Sequence, residues 1–277
     1  MPIKKWMKSP KGYVVIALVA FLLIASIGSK NTMGIKNAII AVGFSVALDM
    51  ICSLMAKRKK ITPTGAVITG LIISLILGVT TAWPIIVATA ALSILSKHLL
   101  VYKKKPIFNP AAFGLLLSSV IFQTGQSWWG AFGDLPAWTL ILVLIGGYAV
   151  ANRVKKYPQV LSFLGTLFVL LFLMAHFNIG DATDALRTPY INSSLFFAFF
   201  MLTDPPTSPA KAKGQIIFGL LTAVAGTVIY GLFGGLIYLF IGLLLGNLYH
   251  FLKARSASQA SKAARPAVNK PLKASVR

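Results

Sequence analysis

Few residues in this chain can do chemistry. Its 277 residues include no glutamate, and the only acids are Asp49, Asp134, Asp181, Asp184 and Asp204. His98, His176 and His250 lie far apart and show no metal-ligand spacing. One cysteine, Cys52, rules out an intramolecular disulfide, a cysteine zinc site and an iron–sulfur cluster held by this chain alone. No metal site is expected. Two polar clusters beside prolines remain, together with one acid. Asn109-Pro110-Ala111-Ala112 opens an apolar run, with Asn placed as an N-cap and Pro in the first turn. Thr203-Asp204-Pro205-Pro206-Thr207-Ser208-Pro209 closes another run. Its prolines make either a sharp capped helix stop or a rigid half-helix turn lining a polar cavity. Asp49 sits inside an apolar run, where an unpaired carboxylate costs a few kcal/mol. It reads as a structural partner for a lysine such as Lys97, as an ion or proton stop, or as a hydrogen-bond acceptor for a cofactor.

The elements that must position these residues are membrane helices. Lys and Arg number 27 and the formal net charge is +22, yet charged residues are only 12% and mean hydropathy is +0.80. Soluble domains are nearer a quarter charged. The cations cluster between long uncharged runs, which excludes a soluble enzyme and makes the basic balance a topology signal. A lipid bilayer is the expected partner, and no nucleic acid is expected. Ten runs fit spans: 13–29, 35–56, 65–81, 83–101, 108–124, 136–151, 158–176, 190–203, 215–231 and 233–252. The third, fourth, eighth and ninth read as short or interrupted. No run alternates with period 2, and an open sheet cannot satisfy its backbone in lipid. Tyr13–Ser29 reads as the first span and not as a cleaved leader, because no Ala-x-Ala site follows.

With the N-terminus inside, only Lys30, Lys36 and Arg187 of the 27 cations fall outside. This split supports ten spans with both termini cytoplasmic. Residues 1–252 form the membrane domain, and 253–277 read as a disordered basic tail. Trp128, Trp129 and Phe132, in an outer loop, read as an interfacial aromatic belt. Ten spans divide into halves of about 13–124 and 136–252. An odd repeat of five inserts the second half upside down. The third span then pairs with the eighth, and Val79-Thr80-Thr81-Ala82-Trp83-Pro84 with the Thr203–Pro209 turn. Interrupted helices at matching places point to a central site, and their unpaired N–H groups favour anions.

The order and spacing of these motifs resemble the RnfD/NqrB family, membrane components of the Rnf electron-transport complex and of the sodium-pumping NADH:quinone reductase. The matching stretches are Asp49-Met50-Ile51-Cys52 through Lys57-Arg58-Lys59-Lys60, Ser96-Lys97-His98, Phe108-Asn109-Pro110-Ala111, Thr203-Asp204-Pro205 and Gly246-Asn247-Leu248. They cover roughly residues 35–252. The resemblance implies an all-α membrane protein of two inverted five-helix halves with interrupted helices. It also implies a bacterial inner-membrane location, neighbouring electron-transport subunits, and a flavin-dependent role that can be coupled to ion movement. The chain would be at most one component of a redox-driven ion-translocating oxidoreductase.

Typical members carry FMN on the Thr of a Ser-Gly-Ala-Thr segment between the fifth and sixth spans. Here Thr124–Asp134 has no such segment. The nearest look-alike, Gly180-Asp181-Ala182-Thr183, lies between the seventh and eighth spans, which leaves Thr183 as the candidate for covalent FMN. The expected cofactor is therefore FMN or riboflavin held without a covalent bond. Asn109, Thr203, Asp204, Thr207 and Ser208 are expected to line its site, with Asp49 nearby. A channel or transporter for a small polar solute on the same fold, or a cofactor-less scaffold protein, are the alternatives.

Overall fold

The computed structural model describes residues 3–58 and 62–263, whose regular elements are helices apart from one small hairpin. The elements in order are α1 (Ile3–Met7), α2 (Pro10–Gly28), α3 (Met33–Met55), α4 (Thr64–Ile76), α5 (Trp83–Leu99), β1 (Val101–Tyr102) and β2 (Lys105–Pro106). Next come α6 (Pro110–Ile121), α7 (Leu140–Val154), α8 (Tyr157–His176), α9 (Ala182–Ala185) and α10 (Tyr190–Phe196). Then α10 runs on as a π-helical turn, Phe197–Met201, and α11 (Ala212–Phe233) and α12 (Ile237–Ala263) follow. β1 and β2 pair antiparallel, Val101 opposite Pro106 and Tyr102 opposite Lys105.

All ten expected spans are present among the described residues. Six helices are long and apolar enough to cross a membrane, and α4, α5, α6 and Tyr190–Met201 are shorter. At 1.5 Å per residue, α4 and α6 reach only about 20 Å, against a hydrocarbon layer of about 30 Å. Two lengths differ from expectation. The fifth span, α6, has 12 residues, whereas the ninth, α11, is an unbroken helix of 22. Glycines in α11 do not interrupt it. Gly219 packs so closely on α8 that a Cβ there would lie 2.6 Å from Gln159 O. The last helix also continues to Ala263, so helix replaces the expected disorder from Lys253 to that point. Ala, Ser, Gln and Lys there are tolerable helix formers. Residues 264–277, like Lys59 and Lys60, lie outside the described residues.

Helix ends gather on two faces. One face brings together the start of α2, Arg58, Lys97, the β1–β2 hairpin, the start of α6 and the Asp204 turn. On the same face, Lys156 Nζ donates to Ser208 Oγ at 2.9 Å and Lys103 Nζ to Ser258 Oγ at 2.8 Å. The other face gathers the ends of α4 and α6, the loop before α7, and the α11–α12 connection. There Tyr230 Oη donates to Asp181 O at 2.8 Å. Segments expected to share a side do share one.

The inverted repeat shows in matching contacts. In the first half, Asn37 near the start of α3 donates from Nδ2 to Val79 O, just past the end of α4, at 2.9 Å. In the second half, Gln159 near the start of α8 donates from Nε2 to Leu202 O, just past the π-turn, at 2.6 Å. Seventh-span Gln159 and second-span Asn37 thus do the same work on the eighth and third spans. The last two helices of each half also pack through glycine. A Cβ on Gly114 would lie 2.7 Å from Thr89 O, and one on Gly242 would lie 2.6 Å from Thr222 O. Only small residues allow such approach.

The Trp128 loop corrects the sequence reading. It does not form a belt at the lipid interface but folds into the bundle centre. Trp128 and Phe132 are each 1% exposed. Both take left-handed backbone, φ 49° and 64°, around the turn Trp129–Ala131. Ser127 N and Trp128 N donate to Ile76 O at 2.9 and 3.0 Å, and Trp129 Nε1 donates to Ser74 O at 2.8 Å. The loop goes inside because the broken end of α4 offers carbonyls that lipid cannot satisfy. Trp128 stacks on Phe240 at 5.5 Å and meets Phe196 edge-on at 6.1 Å. Replacing Trp128 with Ala should therefore cost about 3–5 kcal/mol, as for other large core truncations. Unfolding in detergent, compared with wild type, measures this, and the exposed Trp138 gives the contrasting small loss.

Candidate functional site

The first, third and fifth spans, α2, α4 and α6, all begin on the basic face, and their first turns border one cavity of about 470 Å³. Pro10, Lys11 and Val14 come from α2; Thr62, Gly65, Ile68, Thr69 and Ile72 come from α4 and the residues just before it. Asn109, Pro110 and Ala111 come from α6, and Phe200, Thr203, Asp204, Pro205 and Pro206 from the broken end of the eighth span. Asp49, Lys97, Arg58, Lys104 and Lys105 also line the cavity, beside Ser53, Pro106 and Val154. Val14, Ile68, Ile72 and Phe200 are its apolar surface. Such a volume and mixture are typical of a small-molecule site.

Each expected site residue now has a place. Asn109, Thr203, Asp204 and Asp49 border the cavity. Asn109 and Thr203 have their polar atoms engaged by the scaffold. Asn109 Oδ1 accepts from Ala112 N at 3.1 Å, capping α6, and its Nδ2 donates to Met201 O at 3.1 Å. Thr203 Oγ1 donates to Phe199 O at 2.6 Å. Thr207 and Ser208 are not among the cavity residues but brace Asp204. Thr207 Oγ1 donates to Asp204 Oδ2 at 2.9 Å, and Ser208 Oγ donates to Asp204 O at 2.7 Å. Thr183 is exposed on the four-residue α9, which belongs to the opposite face.

Two residues outside the expected set hold the site together. Asn247, in the last span, accepts from Asn109 N on Oδ1 at 2.9 Å and donates from Nδ2 to Thr207 O at 3.0 Å. It ties the start of α6 to the Asp204 turn. His98 joins the buried acid: Lys97 Nζ and His98 Nε2 both approach Asp49 Oδ1, at 2.8 and 2.7 Å. The carboxylate is therefore paired, as its depth demands. Ser96-Lys97-His98 was a visible signal for this pairing. Asn247 carried only a family motif, because nothing local says which carbonyl an amide will meet.

Asp204 is half-buried: it is surrounded by protein but faces the cavity. Burial pushes its carboxyl above the usual range, against the Thr207 hydrogen bond and the charges of Lys11, Lys156 and Lys97. Lys156 lies behind the turn and is 4% exposed. It donates to Ser208 Oγ and to Pro209 O. Burial lowers its pKa to about 8, with Asp204 opposing. Both groups shift toward their neutral forms, which suits a carboxyl and an amine withdrawn from water together.

Comparison with known proteins adds to this geometry. Residues 124–250 match the family model described as the NQR2, RnfD, RnfE family. That match includes the Thr203–Ser208 turn and Asn247, while Asn109 and Asp49 lie before it. The chain is similar to the D component of the ion-translocating oxidoreductase complex of Vibrio atlanticus, 32% identical over 111 residues, 39% of this chain and 31% of that protein. The Vibrio vulnificus counterpart is 28% identical over 130 residues, 46% and 34% of the two chains. The Shewanella sediminis counterpart is 28% identical over 152 residues, 52% and 41%. The chain thus spans about a third to two-fifths of the length of these relatives. The resemblance read from the motifs is borne out over this stretch.

Two outcomes follow from the scaffold. Asn247→Leu removes partners from Asn109 N and Thr207 O, and each buried polar group so orphaned costs about 1–3 kcal/mol. The expected result is lower thermal stability in detergent, with Asn109→Ala behaving alike and the double variant losing less than the sum. Lys156 gives a pH signature. Its folded pKa of about 8 lies below the ordinary 10.5, so its burial opposes folding below pH 8 and ceases to do so by about 10.5. Wild type should gain stability relative to Lys156→Met across that window, read as the difference of their melting temperatures.

Proposed function

We propose that this chain is a membrane component of a bacterial electron-transport complex, similar to the D component of the ion-translocating oxidoreductases. Other membrane subunits are its partners, and it lies in the inner membrane with its basic face to the cytoplasm. The observation that carries this reading is that the matched half supplies the Thr203–Pro206 wall of the cavity. The stretch that the family model matches is thus part of the candidate site.

The cavity fits a flavin held without a covalent bond. It has apolar walls for a planar ring, a basic mouth, and a carboxyl at Asp204. When bound, a flavin supplies one- and two-electron transfer. The chain's residues would position it and control water and protons. Val14, Ile68, Ile72 and Phe200 would pack on the ring. Asp204, braced by Thr207 and Ser208, would hold or accept a proton at the wall. The Asn109–Asn247 link would fix the wall against α6. Deeper in the bundle, Phe200 meets Phe196 at 4.9 Å and Phe21 at 5.2 Å, and Phe21 meets Phe132 at 4.9 Å. This dry aromatic packing joins the cavity floor to the Trp128 loop. It argues against a through-going path for a polar solute and in favour of a cofactor chamber that opens on the basic face.

The test is absorbance of protein purified in mild detergent, repeated after acid precipitation. Flavin colour that leaves with the supernatant is the expected result. Asp204→Ala should weaken flavin binding about tenfold, in line with the loss of one hydrogen bond to a charged or polar group. Thr183→Ala should leave it unchanged. Colour retained in the pellet and lost in Thr183→Ala would overturn the non-covalent assignment. A protein that takes up neither FMN nor riboflavin would overturn the flavin reading.

A further inference from the structure

We infer that the mouth of the cavity is a phosphate-binding subsite, so that its ligand is an amphiphile with an apolar body and a phosphate-bearing end. Four cations, Lys11, Arg58, Lys104 and Lys105, come from three separate segments: the first turn of α2, the residues after α3, and the β1–β2 hairpin. None has a carboxylate partner among the described residues. Of the acids, Asp49 and Asp204 share their cavity, and of the four cations only Lys11 bears on the charge of Asp204. Asp49 is bound to Lys97 and His98, Asp204 accepts from Thr207, and Asp134, Asp181 and Asp184 belong to the segments of the opposite face.

The backbone adds to this field. Three helices point their N-termini at the same opening. In α2, Ser9 Oγ accepts from Gly12 N, and in α6 Asn109 Oδ1 accepts from Ala112 N. The third, α4, has Pro63 at its N-cap position and no side-chain cap. Among the described residues the amides of Thr64 and Gly65 have no acceptor, and Gly65 borders the cavity. Helix N-termini favour negative charge. A topology signal requires only that Lys and Arg stay on one side of the membrane. It does not require four of them to surround one opening with three helix N-termini and an apolar floor.

Riboflavin and FMN differ by this one group, so the pair is the probe; its use rests on the flavin reading, and inorganic phosphate supplies an arm that does not. The full chain, in nanodiscs of phosphatidylcholine alone, is titrated with each flavin by fluorescence quenching. FMN should bind at least about tenfold more tightly, as expected for charge-assisted hydrogen bonds, and the advantage should shrink as salt rises. The triple variant Arg58→Gln, Lys104→Gln, Lys105→Gln changes only exposed side chains and should keep its melting temperature. It should bind FMN no better than riboflavin.

In the second arm, inorganic phosphate should slow amine labelling of Lys104 and Lys105 in wild type, with no flavin present. Equal binding of the two flavins, unchanged in the triple variant, would overturn the phosphate subsite and leave the flavin reading intact. Protection by phosphate without binding of either flavin would support the subsite and overturn the flavin reading. Protection only in nanodiscs containing phosphatidylglycerol would assign the phosphate to a lipid headgroup, supporting the subsite with a different source. No protection by phosphate, flavin or lipid would overturn it outright.

Discussion

Satisfying backbone carbonyls where helices stop inside the bundle is the constraint on which this structure depends. In water a broken helix end is solvated, but in lipid it must find protein partners. The two halves solve the problem differently. At the second-half break, side-chain amides do the work: Asn109 reaches Met201 O, Gln159 reaches Leu202 O and Asn247 reaches Thr207 O. At the first-half break, Asn37 reaches Val79 O, but the Trp128 loop supplies the rest through Ser127 N, Trp128 N and Trp129 Nε1.

That difference makes the molecule asymmetric. Slender amide side chains satisfy carbonyls without occupying the space beside them, so the second-half break borders an open cavity. A loop carrying two tryptophans and a phenylalanine satisfies carbonyls and fills the space as well. Among the described residues the second-half break therefore borders the cavity on the basic face, while the first-half break is filled by the Trp128 loop. The chamber ends at aromatic rings in contact from Phe200 through Phe21 and Phe196 to Phe132 and Trp128. A one-sided chamber suits a molecule that stays and reacts better than one that passes through.

Charge follows the same logic. Asp49 is carried at depth because Lys97 and His98 converge on one of its oxygens. Asp204 and Lys156 are carried near the basic face, shifted by burial toward their neutral forms and braced by hydroxyls of one turn. Prolines hold that turn open, since they have no N–H to continue the helix. Among the described residues the cations at the cavity mouth form no ion pair, so positive charge is in surplus there.

Ten spans and which of their connections share a face were legible in the sequence, because hydropathy and the placement of Lys and Arg act locally and every backbone group in lipid must be satisfied. Asn109 and the Thr203–Asp204 turn were legible too, since prolines beside caps announce where helices break. The length of α6 and the continuity of α11 were not legible, because glycine serves equally as a breaker and as a packing surface, and only the facing helix decides. Nor was the burial of Trp128 legible. An aromatic loop between spans suits an interface or a core equally well, until the unsatisfied carbonyls of α4 draw it inward. The same holds for function. Residue types marked Asn109, Thr203 and Thr207 as polar, and only the tertiary structure showed their hydrogen bonds already spent on the scaffold. Asp204 and four converging cations are left to face the chamber, because which atoms remain free depends on partners distant in the chain.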